Sequence, residues 1–264
     1  EEDYGFETAG FLRVPALSAV ELDAFTTAAA AAARGVDGPG LLAELCTTHP
    51  ILVRYLWELF NPASLNDNQK ASDGSNGPPY RLDGPPTVHS SAAAHRSDDG
   101  GIMAATRGAL PSPARGYSIK NGVRLCGAVT AVFALTDSRG GRGWTVLPGS
   151  HKRAVPAPSG FRDLSALSWL EQRGVPTEQH LAAGDLLLVV GGAIHGLRPL
   201  RAGETAATFV SCSFTAAKWL PPPTAQPALP LWRRGLGEAV EWAAELSDAE
   251  RQVLGIVAEG ADDD

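Results

Sequence analysis

The chain has 264 residues, 44% of them hydrophobic and 19% charged, with 22 basic residues against 29 acidic ones and a net charge of -7. That is enough apolar material for one large core or two small ones, and an acidic balance with no clustered basic face argues against a nucleic-acid footprint. No apolar run reaches the roughly 20 residues of a membrane helix.

Cys46, Cys126 and Cys212 are far apart and sit in no metal-binding spacing, so they read as buried free thiols. The chain opens on Glu1 and its one methionine is Met103. The native start, and any targeting segment with it, is expected to lie outside this sequence, which leaves the compartment unread.

In chain order, the apolar alternation of Tyr4 to Pro15 predicts a short strand. Ser18 with Glu21 three positions on forms a capping box, which predicts a helix to about Ala33. Leu52, Leu56 and Leu59 at helical spacing predict a second helix over Leu41 to Phe60, ended by Asn61-Pro62. Residues 61–80 are rich in Asn, Ser, Gly and Pro and read as loop. Tyr80 to Leu82 reads as a short strand, and Thr87 to His89 begins another extended piece. Residues 95–116 carry no clear period, and a loop of that length is usually functional or disordered.

From Tyr117 the pattern turns to strands: Gly127 to Leu135, Trp144 to Leu147, Leu186 to Val190 and Thr205 to Phe214, with a helical stretch over Phe161 to Arg173. Strands separated by turns, with helices mainly at the two ends, predict a mainly β jelly roll with flanking helices rather than βαβ winding. Residues 1–220 are expected to form this single domain. Residues 221–264 are expected to be a proline-rich connection and a helical tail, Leu231 to about Ala258, packed on the barrel or on a protein partner.

A jelly-roll mouth can hold a metal on two histidines and one carboxylate, with open positions for chemistry. His195 follows the buried strand Leu186 to Val190 and the hinge Gly191-Gly192, which suits a late ligand. His89 suits the first ligand by chain order. Two positions beyond it, on the same side of a strand, stands Ser91, a hydroxyl where a carboxylate is wanted. His95, Asp98 and Asp99 either fold back to the metal or are solvated loop groups. His151, after Pro148-Gly149-Ser150, reads as a structural hydrogen bonder at its turn, and Lys152 as an exposed charge. Asp137 and Asp185 read as turn residues bonding local amides.

These stretches resemble the phytanoyl-CoA dioxygenase family of Fe(II)/2-oxoglutarate-dependent oxygenases. The resemblance is carried by ALTD at Ala134 to Asp137, the GxxVLPGSHK register of Gly143 to Lys152, and LAAGDLLLV followed by IHG at Ile194 to Gly196. The opening GFLRVPALSAVELDAF, YRLD at Tyr80 to Asp83 and SDAERQVL at Ser247 to Leu254 add to it.

The resemblance implies a double-stranded β-helix of the cupin-like kind, holding Fe(II) and 2-oxoglutarate. By position His89 and His195 match the metal histidines, with Asp98 as the candidate acid. It implies oxidative decarboxylation of 2-oxoglutarate by O2, coupled to hydroxylation of a small or lipid-like substrate. The family's arginine for the 2-oxoglutarate carboxylate is expected about ten residues past the late histidine, where this chain has Glu204-Thr205-Ala206; Arg198 and Arg201 are the nearby candidates. The alternatives are an inactive relative with a binding or assembly role, and an oxygenase-derived enzyme such as a halogenase.

Overall fold

Ser18 caps helix α2 (Ala19–Ala33) as the sequence predicts: its hydroxyl accepts from the Glu21 amide, and the Glu21 carboxylate accepts from the Ser18 amide at 2.8 Å. This computed structural model describes residues 2–35, 38–60, 79–91, 103–104, 116–120, 123–138, 143–153, 172–173, 178–198, 200 and 203–216.

Two predicted elements divide. The first stretch holds helix α1 (Glu2–Ala9) and only then strand β1 (Phe11–Pro15). Between them Gly10, at φ 83°, donates its amide to the Phe6 carbonyl at 2.9 Å, the left-handed stop that glycine supplies most cheaply. The long second helix is two, α3 (Gly38–Thr48) and α4 (Pro50–Phe60). Proline disfavours a helical conformation in the residue before it, so the chain breaks at His49 and restarts with Pro50 in the first turn. His49 Nδ1 then accepts from the Leu52 amide at 3.4 Å.

The strands are β2 (Tyr80–Leu82), β3 (Thr87–Ser90), β4 (Met103–Ala104), β5 (Tyr117–Lys120), β6 (Val123–Cys126), β7 (Ala128–Ala134), β8 (Trp144–Val146), β9 (Glu178–Gln179), β10 (Asp185–Val190), β11 (His195–Leu197) and β12 (Thr208–Ala216). They form a six-stranded sheet in the order β1-β10-β7-β12-β2, with β3 also on β12, and a four-stranded sheet in the order β4-β11-β8-β9. β5 and β6 make a separate hairpin. Every pairing is antiparallel. After β7 the chain passes to β8 and β9 in the small sheet, back to β10, across to β11 and back to β12. This is the jelly-roll, double-stranded β-helix architecture with flanking helices.

Each face of the large sheet has a separate job. Val129, Ala131 and Phe133 of β7, with Leu186, Leu188 and Val190 opposite them, turn toward the helices. There Phe133 packs on Phe25 of α2 at 4.7 Å between ring centroids and on His49 at 5.5 Å. Alternate residues of β12, including Phe209, turn instead toward the small sheet, where Phe209 meets Trp144 at 5.8 Å. The three cysteines are free and buried, as their spacing suggests.

The helices predicted over 161–173 and 231–258 lie outside the described residues, apart from a turn at 172–173. So do the loop 61–78 and most of 95–116, of which Met103–Ala104 is described as strand β4. No helix among the described residues is long and apolar enough to cross a membrane.

Candidate functional site

The VLPGSHK stretch works as a clamp on the hinge that delivers His195. Leu147 donates its amide to the Ile194 carbonyl at 2.8 Å. The Ser150 hydroxyl accepts from the Ile194 amide at 2.8 Å and donates to the Leu147 carbonyl at 2.6 Å. Arg153 donates to the Gly192 carbonyl. The turn and the hinge, far apart in sequence, are thus closed on each other by backbone and hydroxyl bonds, and His195 is the first strand residue after them.

His151 belongs to the same support. It lies buried in the short 3-10 turn Ser150–Lys152, and its Nε2 donates to the Glu7 carbonyl at 3.1 Å. The reading of His151 as structural therefore holds, with its partner on α1 and not in its own turn. A side chain at Gly10 would run into the His151 ring, so glycine is required there for space as well as for φ. The Asp185 carboxylate accepts from the Ala182 amide at 2.9 Å, the local turn bond expected of it.

His195 itself is only 7% exposed. Its Nδ1 lies 2.9 Å from the Ala193 carbonyl. A carbonyl can only accept, so Nδ1 carries the proton and the neutral ring presents Nε2 as a bare lone pair. A backbone carbonyl holding the far nitrogen is the arrangement that orients metal-binding histidines. Burial pushes the His195 pKa below the ordinary histidine value, with the Ala193 bond opposing, which keeps the ring in the neutral form that ligation requires.

Register brings the other candidates near. His195 pairs with Val146 on β8, so Trp144, two residues earlier, shares its face. The two rings stack at 6.3 Å, with planes 27° apart. On the opposite sheet His89 pairs with Phe209, and both reach the same indole, His89 at 5.3 Å and 74°. Trp144 is thus the common neighbour of His89 and His195, and it is 4% exposed. Its indole N–H has no hydrogen-bond acceptor among the described residues. Sequence reasoning passed over Trp144; a tryptophan beginning a short strand carries no local sign of chemistry.

His89 Nε2 lies 2.7 Å from the Ser211 hydroxyl. If Nε2 is the donor, Nδ1 is left with the lone pair. Burial lowers the His89 pKa as well. Ser91, at the position where an acid was wanted, is fully buried and bonded to backbone: its amide donates to the Ala207 carbonyl at 3.0 Å and its hydroxyl accepts from the Ala207 amide at 2.8 Å. It pins the end of β3 to the start of β12.

Arg198 is buried one residue past β11. Arg201, His95, Asp98 and Asp99 lie outside the described residues. Among the described residues no three His, Cys, Asp or Glu side chains are grouped to hold a metal ion. The donor set there is His195 in ligand form with His89 beside the same indole, which fits part of a metal site and leaves its acid unassigned.

No protein-family model and no curated protein sequence matches the chain. Its fold is similar to that of HygX from Streptomyces hygroscopicus with nickel and 2-oxoglutarate bound, at TM-score 0.56 and 18% identity over 82% of this chain and 86% of that one. The iron-bound form of HygX gives TM-score 0.55 at the same identity and coverage. The non-heme alpha ketoglutarate dependent carbocyclase SnoK from nogalamycin biosynthesis gives TM-score 0.50 and 16% identity, over 82% of this chain and 83% of that one. At such identities the likeness is one of fold. The jelly roll is the shared property, and the phytanoyl-CoA dioxygenase family is not singled out among proteins that have it.

Proposed function

We propose that the protein is a non-haem Fe(II)/2-oxoglutarate-dependent oxygenase acting on a small molecule, with His195 and His89 as its metal histidines. The observation that carries this reading is the state of His195. It is buried at a clamped hinge, its Nδ1–H is held by Ala193, its Nε2 keeps the lone pair, and its ring stacks on Trp144, which His89 also meets. Jelly-roll neighbours that hold nickel or iron, with 2-oxoglutarate in one of them, support it.

In this reading Asp98 supplies the acid, and Arg198 or Arg201 pairs with the 2-oxoglutarate carboxylate. Iron with 2-oxoglutarate and O2 would supply the oxidising power. The chain's own part is to fix the two imidazoles and to exclude water with Trp144 and Phe209. Ser211 holds His89, and the VLPGSHK clamp holds His195.

A second reading, an inactive jelly-roll relative with a binding role, is favoured by Ser91. A backbone-pinning hydroxyl stands where the metal acid was expected. Metal titration of the purified protein separates the two. The oxygenase reading expects one ferrous ion per chain, lost in His195→Ala with the fold retained. No ferrous binding by the unaltered protein would leave the second reading standing.

A further inference from the structure

We infer that a cavity on the helix face of the large sheet binds a small uncharged molecule with an apolar ring and one hydroxyl. Its floor is the directly opposed pair Leu12 of β1 and Leu188 of β10. Its walls are Phe6 of α1 with Tyr55 and Leu59, one turn apart on α4. Where these elements meet they leave about 100 Å3 unfilled. Leu12 packs on the core yet stays only partly buried, so the floor is reachable from solvent.

This cavity is separate from the proposed metal site. Leu188 pairs with Ala131, and Ala131 pairs with Cys212, so the three share one face of the large sheet. Cys212 is an odd number of residues from Phe209 on the same strand, and Phe209 pairs with His89. The cavity and the histidine pair therefore lie on opposite faces of the sheet.

The lining sets the chemistry of the occupant. Water over a leucine floor finds few polar partners, and an empty space leaves the lining side chains without dispersion contacts. An enclosed apolar cavity of about 150 Å3 takes benzene. This one is smaller but open at its rim, so a single ring is the largest body that fits. Phe6 and Tyr55 offer aromatic faces and edges to such a ring. The rim carries charge, but the charge is matched. Arg54 donates to the Glu58 carboxylate at 2.9 Å, and Arg124 of β6 donates to the Glu7 carboxylate at 3.0 Å. A charged ligand would have to break one of these pairs or face its own sign. A hydroxyl would not: a carboxylate has about four lone-pair sites, so Glu58 can accept from it and still hold Arg54.

The test titrates phenol into full-length protein in EDTA, followed by the nuclear magnetic resonance signals of isotope-labelled leucine methyls. Benzoate and benzylammonium are titrated in parallel. Phenol is expected to bind saturably at a single site and to shift the methyls of Leu12, Leu59 and Leu188. Both ions should bind at least about tenfold more weakly. Leu12→Phe puts a ring into the void, and should weaken phenol binding about tenfold or more while holding or raising the melting temperature. Shifts that do not saturate, shifts confined to other methyls, or an ion that binds as tightly as phenol would overturn the site. So would undiminished phenol binding in Leu12→Phe. Should that variant melt lower than the unaltered protein, the methyl shifts of the unaltered protein decide. The site does not rest on the oxygenase reading: phenol bound in this way by a protein that takes up no iron keeps the site and removes that reading.

Discussion

His195 stacks on Trp144 with ring centroids 6.3 Å apart, while its own backbone neighbour Ala193 holds its Nδ1. The indole fixes the plane of the imidazole and the carbonyl fixes its tautomer, so Nε2 has a defined direction before any ligand arrives. Trp144 reaches across the barrel to His89 and Phe209 as well, which makes one side chain the spacer between the two sheets.

Replacing that spacer should therefore disturb both stability and site. Trp144→Leu removes three ring contacts and leaves a void, and should cost about 2–4 kcal/mol in a denaturant titration. Trp144→Phe keeps a ring and should cost less. Both should weaken metal binding, because the stacked orientation of His195 is lost. Metal affinity equal to that of the unaltered protein in Trp144→Leu would show that the stacking has no part in orienting the ring.

Ser91 offers a cleaner structural test. Its buried hydroxyl is the acceptor for the Ala207 amide at 2.8 Å. Ser91→Ala leaves that buried amide unsatisfied and should destabilise the fold by about 1–3 kcal/mol. Metal binding should survive, since the hydroxyl is engaged with backbone. Ser91→Asp places a charge in the same closed space and should destabilise more. Gain of metal affinity in Ser91→Asp would show that the position can face an ion after all.

Acid should weaken the fold through two buried histidines outside the proposed metal pair. Burial is the largest influence on both His49 and His151 and holds each below the usual 6.5, against the opposing charge of Glu21 near His49 and the Glu7 carbonyl at His151. The unfolded chain therefore takes up these protons first as pH falls. Stability is full above about pH 6.5 and declines below it, as the unfolded state binds more protons than the folded one. The melting temperature should drop between pH 7 and pH 5, and His49→Phe should flatten the drop. A melting temperature that holds or rises over that interval would contradict the assignment.

What could be read in advance was whatever depends on neighbours in sequence. The capping box at Ser18 and Glu21, the turn role of Asp185 and the hinge before His195 are written in stretches of a few residues. The break at His49-Pro50 was legible too, since proline disfavours helix in the residue before it, but the helical spacing of Leu52, Leu56 and Leu59 just past it drew one helix through it. The pairing of Leu12 with Leu188 was not legible, nor was the meeting of Trp144 with His89 and His195. Those depend on sheet register, which is set by strands more than 50 positions apart in each case. Ser91 shows the converse: the sequence marked it as a missing acid, and only the fold shows the backbone bond it makes instead.

The most direct test of the central claim counts imidazoles on the bound ion. Protein loaded with one equivalent of Cu(II) is examined by pulsed electron paramagnetic resonance for coupled histidine nitrogens. Two coupled imidazoles in the unaltered protein, falling to one in His89→Ala and one in His195→Ala, is the result expected if these side chains share a metal. A single coupled imidazole in the unaltered protein, or a pair that persists in either variant, would contradict it.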